Sequence, residues 1–280
     1  MFSITEDSIT KRLIFVTGKG GVGKTSFAWG LAQSLASQGR SVAVINWGIR
    51  ENQDTHDNPQ ITKITLDAAE CFHEYIMRYL KFEKIFETVF DNPVLKTFVR
   101  VAPGLSDTMI AGKIWDLFES RQYDHCIVDL PASGHALSFF RSPLSVNRLF
   151  PTGLVHRELG KICNMFFHPE VRIDLITLPE ELPCQETQEL YHAIKALGDF
   201  RFGFLVANFC LPDFGIEPEA MNSLKADQRS FVSGYLEKLN RQRDILETLN
   251  HLPLRLVSLP RNTALDWKTS VHEIAKGLSS

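Results

Sequence analysis

Long apolar runs are absent from this 280-residue sequence, and no segment approaches the ~18 uninterrupted apolar residues that a membrane-spanning helix needs. The first residues, Met1–Asp7, are acidic where a secretory signal peptide is basic, and no long apolar run follows them. We therefore expect a cytoplasmic protein without a transmembrane segment.

Cysteine is scarce and scattered, with five residues and no C-x-x-C pair. An odd number at wide spacing is a poor disulfide framework and a poor zinc site, and such thiols are typical of a reducing cytosol. We interpret each one as a small buried hydrophobe. The five are Cys71, Cys126, Cys163, Cys184 and Cys210.

A strong charge of either sign is also missing, because the formal net charge is only -3. No overall basic field points to nucleic acid or to an anionic membrane surface, so we expect no nucleic-acid partner. The apolar fraction of 44% and the charged fraction of 22% are those of an ordinary globular protein.

Short apolar runs alternate with helical patterns along the chain, which predicts an α/β fold with a mainly parallel central sheet flanked by helices. The predicted strands are Leu13–Thr17, Ser41–Asn46, His125–Asp129, Arg172–Thr177, Phe202–Asn208 and Leu254–Ser258. The predicted helices between them are Lys24–Gln38, Pro183–Leu197 and Trp267–Leu278.

Three further stretches show mainly helical periodicity and interrupt this alternation, at about 66–120, 144–168 and 218–250. We expect them to form a helical subdomain at one end of the sheet, inserted into a single domain that spans residues 1–280. The first stretch is rich in aromatic residues, which suit either a packed helical layer or a groove for a hydrophobic client.

The segment Gly18–Thr25 reads GKGGVGKT and fits the phosphate-loop pattern G-x-x-x-x-G-K-[ST] between a strand and an Ala-rich helix. Glycines let backbone N–H groups curl around phosphate oxygens, and the helix N-terminus adds its positive dipole end. Lys24 is predicted to reach the β- and γ-phosphates, and Thr25 to help hold Mg²⁺. The predicted ligands are therefore ATP and Mg²⁺, bound by Gly18, Gly20, Gly21, Val22, Gly23, Lys24, Thr25 and Ser26.

Two features of the sequence resemble a particular group of ATPases. Lys19, early in the loop, resembles the extra lysine of dimeric ATPases such as MinD, nitrogenase iron proteins and arsenite-pump ATPases. The string Asp129–Leu137, DLPASGHAL, resembles the D-x-P-A-[ST]-G-H-[AT]-L switch of arsenite-pump ATPases and tail-anchored-protein targeting factors. Asp129, at the end of a predicted strand, is expected to hold a Mg²⁺-bound water, and Gly134 to sense the γ-phosphate.

The resemblance implies further roles. Lys19 would reach the nucleotide of a partner subunit, either in a homodimer or in a heterodimer with a paralogous ATPase. Asn208 takes the place of an Asn that contacts adenine, and Pro260 lies in the loop that covers the base; an ordinary strand-end Asn and a turn proline are the alternative interpretation. A protein client or a membrane-protein partner is the other expectation that comes with the family.

One motif of this family is missing. After the second strand, an S-x-D-P-A segment should supply an Asp that positions the attacking water, but Trp47 falls at that Asp and Gly48 at the Pro. Asn46 cannot act as a base, and nothing in the spacing brings Asp54 or Asp57 to the γ-phosphate. Two functions follow: an ATP-hydrolysing dimeric switch, in which Lys24, Lys19 and Asp129 carry catalysis, or a nucleotide-binding regulatory subunit that pairs with an active paralogue.

Overall fold

A computed structural model describes residues 4–47, 58–79, 104–216, 224–261 and 267–279. Within these ranges every strand pairing is parallel, and seven strands form one sheet in the order β3-β2-β4-β1-β5-β6-β7. The predicted α/β class with a parallel sheet is confirmed. The strands are β1 Leu13–Gly18, β2 Val42–Trp47, β3 Ile61–Leu66, β4 His125–Asp129, β5 Val171–Thr177, β6 Phe202–Cys210 and β7 Arg255–Pro260.

The central strands are buried along their whole length, as β1, β4 and β5 show. Parallel strands that are covered on both faces read as continuous apolar runs, which is why their positions are predictable. The edge strand β3 is different because only Leu66 among its residues is buried. No strand was predicted there, since ITKITL is not a continuous apolar run.

Helices cover both faces of the sheet. The described residues form nine of them: α1 Ile4–Ser8, α2 Lys24–Ser37, α3 Ala68–Tyr79, α4 Leu105–Ser120, α5 Ser133–Leu149, α6 Gly153–Phe166, α7 Glu181–Lys195, α8 Ala226–Glu247 and α9 Trp267–Ser279. Side chains alternate between faces along a strand: Ile14 and Val16 pack towards α2 and α9, whereas Phe15 packs towards α4, α5 and α6. None of these helices has both the length and the apolar character needed to cross a membrane.

A cluster of phenylalanines joins the sheet to the helices on the second face. The ring of Phe15 lies 5.3 Å from that of Phe140 and 5.8 Å from that of Phe139, and both contacts are tilted or edge-to-face. Phe166 and Phe200 complete the cluster. Such pairs add about 0.5–1.5 kcal/mol each beyond their burial, so the cluster anchors the strand that leads into Gly18.

The described helices of the stretches 66–120 and 144–168, α3, α4 and α6, contribute residues to the apolar core on one face of the sheet. Their arrangement as an inserted helical subdomain stays a prediction. Phe72 and Tyr75 of α3 also pack on that core. Phe82, Phe86, Phe90 and Phe98 of the same stretch lie outside the described residues. The single-domain assignment stays a prediction.

Candidate nucleotide-binding site

The phosphate loop runs from the end of β1 to the start of α2. Gly18, Gly21 and Gly23 have φ values of 151°, 84° and 90°, which L side chains rarely adopt. At Gly18 there is no space either, because an added Cβ would lie 2.1 Å from the carbonyl oxygen of Ile176 on β5. Gly20 faces Ala132, with 3.9 Å between an added Cβ and the alanine Cβ. The conformation of this loop thus requires glycine at Gly18, Gly21 and Gly23.

Lys24 opens α2 and folds back over the loop. Its ammonium Nζ donates a hydrogen bond to the carbonyl oxygen of Lys19 at 2.8 Å, and the residue is only 7% exposed. Val22 is fully buried beneath the loop. Ser26, in the first turn of α2, is half-buried. The structure thus gathers the residues from Gly18 to Ser26 around one concave backbone segment and places a positive charge on it.

Thr25 and Asp129 meet beside this loop. The hydroxyl Oγ1 of Thr25 donates to the carboxylate Oδ2 of Asp129 at 2.6 Å, and Asp129 is 2% exposed. Their meeting follows from the sheet order, since β4 is the neighbour of β1 and Asp129 aligns with Val16. A hydroxyl and a carboxylate oxygen at a helix N-terminus form a donor set that a hard cation such as Mg²⁺ prefers, so these residues fit a magnesium–nucleotide ligand.

Asn46 lies next to this pair. The β2–β4 register aligns Ile45 with Val128, which places Asn46 beside Asp129 on the face towards α2. The side chain is 5% exposed, and its Oδ1 accepts no hydrogen bond from any described residue. The backbone of Trp47 ends β2, where it aligns with Leu66. Gly48, Asp54 and Asp57 lie outside the described residues.

Asn208 lies two residues before the end of β6, and Pro260 is the last residue of the neighbouring strand β7. The Asn208 Nδ2 donates to the carbonyl oxygen of Val22 at 3.0 Å, so this side chain contacts the phosphate loop directly. Pro260 is exposed at the last position of β7. The next backbone N–H, of Arg261, donates to the Cys210 carbonyl oxygen at 2.7 Å and joins the two strand ends.

Lys19 has an ion-pair partner that was not predicted from the sequence. Its Nζ lies 2.9 Å from Oε1 of Glu186 in α7, with about a third of each side chain exposed (29% and 31%). Gly134 lies in the first turn of α5, where no described atom is within 4 Å of an added Cβ.

A wide cavity of about 1150 Å³ opens next to the loop. It extends from Gly21 across the beginning of α7 to α8 and the end of β7, and it is large enough for a drug-sized or nucleotide-sized ligand. Its wall includes Phe209, Phe231, Tyr235, Lys238 and Arg261.

Comparison with known proteins agrees with this geometry. The family model described as anion-transporting ATPase matches residues 11–172, more than half of the chain and the whole stretch from β1 to the start of β5. The chain belongs to the anion-transporting ATPase family. This confirms the family resemblance drawn from the phosphate loop and from the Asp129–Leu137 string.

Several proteins named as ATPases are similar to the chain. The ATPase BagA of Mycobacterium tuberculosis is 28% identical over 231 residues, which cover 74% of this chain and 67% of that protein. The ATPase get3 of Pyrenophora tritici-repentis is 26% identical, with 82% and 75% covered. A protein of Aquifex aeolicus named putative arsenical pump-driving ATPase 2 is 22% identical, with 79% and 87% covered.

The cysteines of this anion-transporting ATPase family member are buried. All five are free thiols, and burial raises the pKa of Cys71 and Cys126 to about 12 and that of Cys163 to about 11. Thiols with such raised pKa values carry little thiolate, the reactive and metal-binding form. Among the described residues, no group of three His, Cys, Asp or Glu side chains is placed to hold a metal ion.

Proposed function

We propose that this chain is an ATP-dependent switch protein, which binds ATP with Mg²⁺ at the loop Gly18–Thr25 and hydrolyses it slowly. The observation that carries the proposal is the hydrogen bond of 2.6 Å between Thr25 and Asp129. It joins the start of the phosphate-binding helix to the end of a neighbouring strand. In this position the two side chains are ready to hold a cation against the phosphates.

Each group of the loop has a distinct role in this proposal. The backbone N–H groups between Gly20 and Lys24 bind phosphate oxygens, and the Lys24 ammonium leaves the Lys19 carbonyl to contact the β- and γ-phosphates. When bound, the Mg²⁺ ion neutralises charge on the phosphate oxygens. Asp129 and Thr25 would hold that ion, and the burial of Asp129 strengthens the electrostatic interactions of the site.

Coupling to the rest of the molecule would pass through the segment after Asp129. Only three residues separate this carboxylate from the first residue of α5, and Gly134 lies in the first turn of that helix. Ser138 and Ser142 of α5 both donate to the carboxylate of Asp107 in α4. A change in the Asp129–Gly134 segment between triphosphate and diphosphate states would therefore be passed on to two helices.

A dimer is part of the proposal. Lys19 pairs with Glu186 of its own chain in this structure, and both side chains remain about one-third exposed. Partly exposed ion pairs contribute about 0–1 kcal/mol. Exchanging Glu186 for the phosphates of a nucleotide bound by a second subunit would consequently cost little, and either a homodimer or a heterodimer with a paralogous ATPase satisfies this requirement.

The second candidate function is a nucleotide-binding regulatory subunit, and a specific observation favours it. The side chain beside Asp129 on β2 is the amide of Asn46, and the residue after it is Trp47, so β2 ends without a carboxylate that could orient water. Loss of such a group lowers turnover by about 10²- to 10⁴-fold. Nucleotide binding depends on the loop and is not affected by this loss.

Turnover of ATP by the purified full chain separates the two functions. The parent is compared with Lys24→Ala and Trp47→Asp, with ATP affinity measured for each by calorimetry. Turnover in the parent that Lys24→Ala abolishes identifies a working ATPase. If the parent binds ATP without turnover and Trp47→Asp restores it, the regulatory function is correct. Absence of ATP binding by the parent would refute both.

From its family we also propose that the chain is cytoplasmic. We further propose that it acts on a protein client or a membrane-protein partner. A pull-down with the ATP-bound and ADP-bound chain tests the client, because a switch must hold its partner differently in the two states.

A further inference from the structure

The end of β6 contains a residue with unusual geometry. Phe209 has a backbone φ of 59°, in the left-handed region that bulky side chains rarely adopt. The β6–β7 pairing also shifts register between Ala207 and Cys210, where three steps along β6 match two steps along β7. The extra residue is a β-bulge, a feature that re-aims a side chain and is common next to active sites.

The bulge does not turn Phe209 into the core. The residue is 40% exposed, one of the few large apolar side chains of the described chain that are so exposed, and its ring lines the cavity beside the phosphate loop. Strained backbone that does not improve core packing is typical of functional positions.

The ring of Phe209 lies close to the backbone of the loop at Gly23. The backbone N–H of Phe209 donates to Oδ1 of Asn208 at 3.0 Å, and the ring carbon Cε2 lies 3.4 Å from the position of a Cβ added to Gly23. The glycine at the start of α2 thus gives the ring space to approach the loop backbone. The ring lies where the cavity begins, next to the site proposed for the phosphates.

The side chain of Asn208 is held by hydrogen bonds at the phosphate loop. Its Nδ2 donates to the Val22 carbonyl oxygen, its Oδ1 accepts the Phe209 N–H, and the residue is only 4% exposed. An added Cβ on Gly23 would come within 2.3 Å of that Nδ2. The amide therefore supports the loop and presents little of itself to a ligand in the cavity. Asn208 alone is therefore poorly placed to recognise a base, since both polar atoms of its amide already have hydrogen-bond partners.

We propose that the Phe209 ring is the stacking platform for the nucleobase of a nucleoside triphosphate, and that base selection is accordingly relaxed between adenine and guanine. The inference rests on the proposed nucleotide function and deepens it. Aromatic stacking tolerates any base, since each has a π face. Arg261, across the joined ends of β6 and β7, lines the same cavity and offers a cationic plane for the other face of the base.

Binding of three ligands to the full chain with Mg²⁺ tests this: ATP, GTP and inorganic tripolyphosphate, which has no base. The parent should bind ATP and GTP within about tenfold of each other. Phe209→Gly, which accommodates the left-handed backbone, should weaken ATP and GTP alike by roughly 5- to 150-fold and leave tripolyphosphate unchanged. Phe209→Tyr should retain parental affinity.

Phe231→Ala is the matched control, because it removes an exposed ring from the α8 wall of the same cavity without touching the loop. It should change none of the three affinities. The inference is overturned if GTP binds more than about a hundredfold weaker than ATP, or if Phe209→Gly leaves ATP affinity intact while tripolyphosphate still binds. If tripolyphosphate and ATP both fail to bind the parent, the proposed function itself is wrong.

Discussion

Replacing Asp129 with asparagine separates binding of the phosphates from binding of the cation. The substitution keeps the shape of the side chain and an oxygen that can still accept the Thr25 hydroxyl, which now lies 2.6 Å away. It removes one negative charge from a position that is 2% exposed. Since burying a carboxylate costs several kcal/mol before its hydrogen bonds compensate, we expect the ligand-free chain to remain as stable as the parent, within about 1 kcal/mol, or to become more stable.

The effect on the cation is larger. Two unit charges 4 Å apart interact by about 4 kcal/mol at an effective dielectric constant of 20, and dehydration of the ion offsets part of this. We therefore expect a loss of about 2–4 kcal/mol in the contribution of Mg²⁺ to nucleotide binding, or roughly 30- to 1,000-fold in affinity. Binding of ATP without Mg²⁺ should not weaken, because the loop backbone and Lys24 are unchanged.

Thermal unfolding measured with ATP plus EDTA reports ATP binding without Mg²⁺. The same measurement with ATP plus Mg²⁺ adds the contribution of the cation. Asp129→Asn should keep the ATP shift in EDTA and lose the additional shift that Mg²⁺ produces. Asp124→Asn, just before the other end of β4, is the matched control; it removes a negative charge at the surface, beside the Ser41 N–H and hydroxyl, and should leave the Mg²⁺ increment intact. A full Mg²⁺ increment in Asp129→Asn would refute the assignment of the cation site.

Two further predictions concern stability, both measured by urea unfolding. Burial lowers the pKa of His125 below 6.5. As the pH drops below about 6.5, the unfolded chain therefore takes up a proton that the folded chain does not bind. The free energy of unfolding is highest above about pH 6.5 and falls as the pH drops towards the lowered pKa. His125→Gln should flatten this acid slope and the exposed His192→Gln should not; an unchanged slope in His125→Gln would contradict the prediction. In α2, Gly30→Ala sets a Cβ 2.4 Å from Ile274 Cγ2 and should cost about 1–3 kcal/mol, whereas Gly160→Ala in α6 meets no described atom within 4 Å and should add about 0.5–1 kcal/mol. Equal effects of the two would show that the α2–α9 contact is loose.

The sequence was sufficient for the buried part of the fold and much less so for its edges. His125–Asp129 was predicted to the residue because the strand is covered on both faces and ends in an acid. The edge strand Ile61–Leu66 was not predicted, because one side of an edge strand has no neighbour and its residues need not be apolar. The sequence also does not determine where a helical stretch packs, because periodicity shows that a helix has an apolar side but not which surface that side covers.

Some residues of the site can be predicted from motifs and the order of the strands, whereas others are brought together only by packing. The Gly18–Thr25 loop and Asp129 were predictable because each motif contains its own chemistry and the sheet order brings them together. The partner of Lys19 was not, since Glu186 lies far along the chain. Phe209 shows a subtler limit. The predicted strand Phe202–Asn208 ends one residue before Phe209, and nothing in the sequence marks the bulge that turns this aromatic side chain outwards. A polar residue followed by an aromatic at the carboxyl end of a parallel strand is the available signal, because ligands of open α/β sheets bind at that edge. An aromatic there should be tested as a ligand contact before it is assigned to the core.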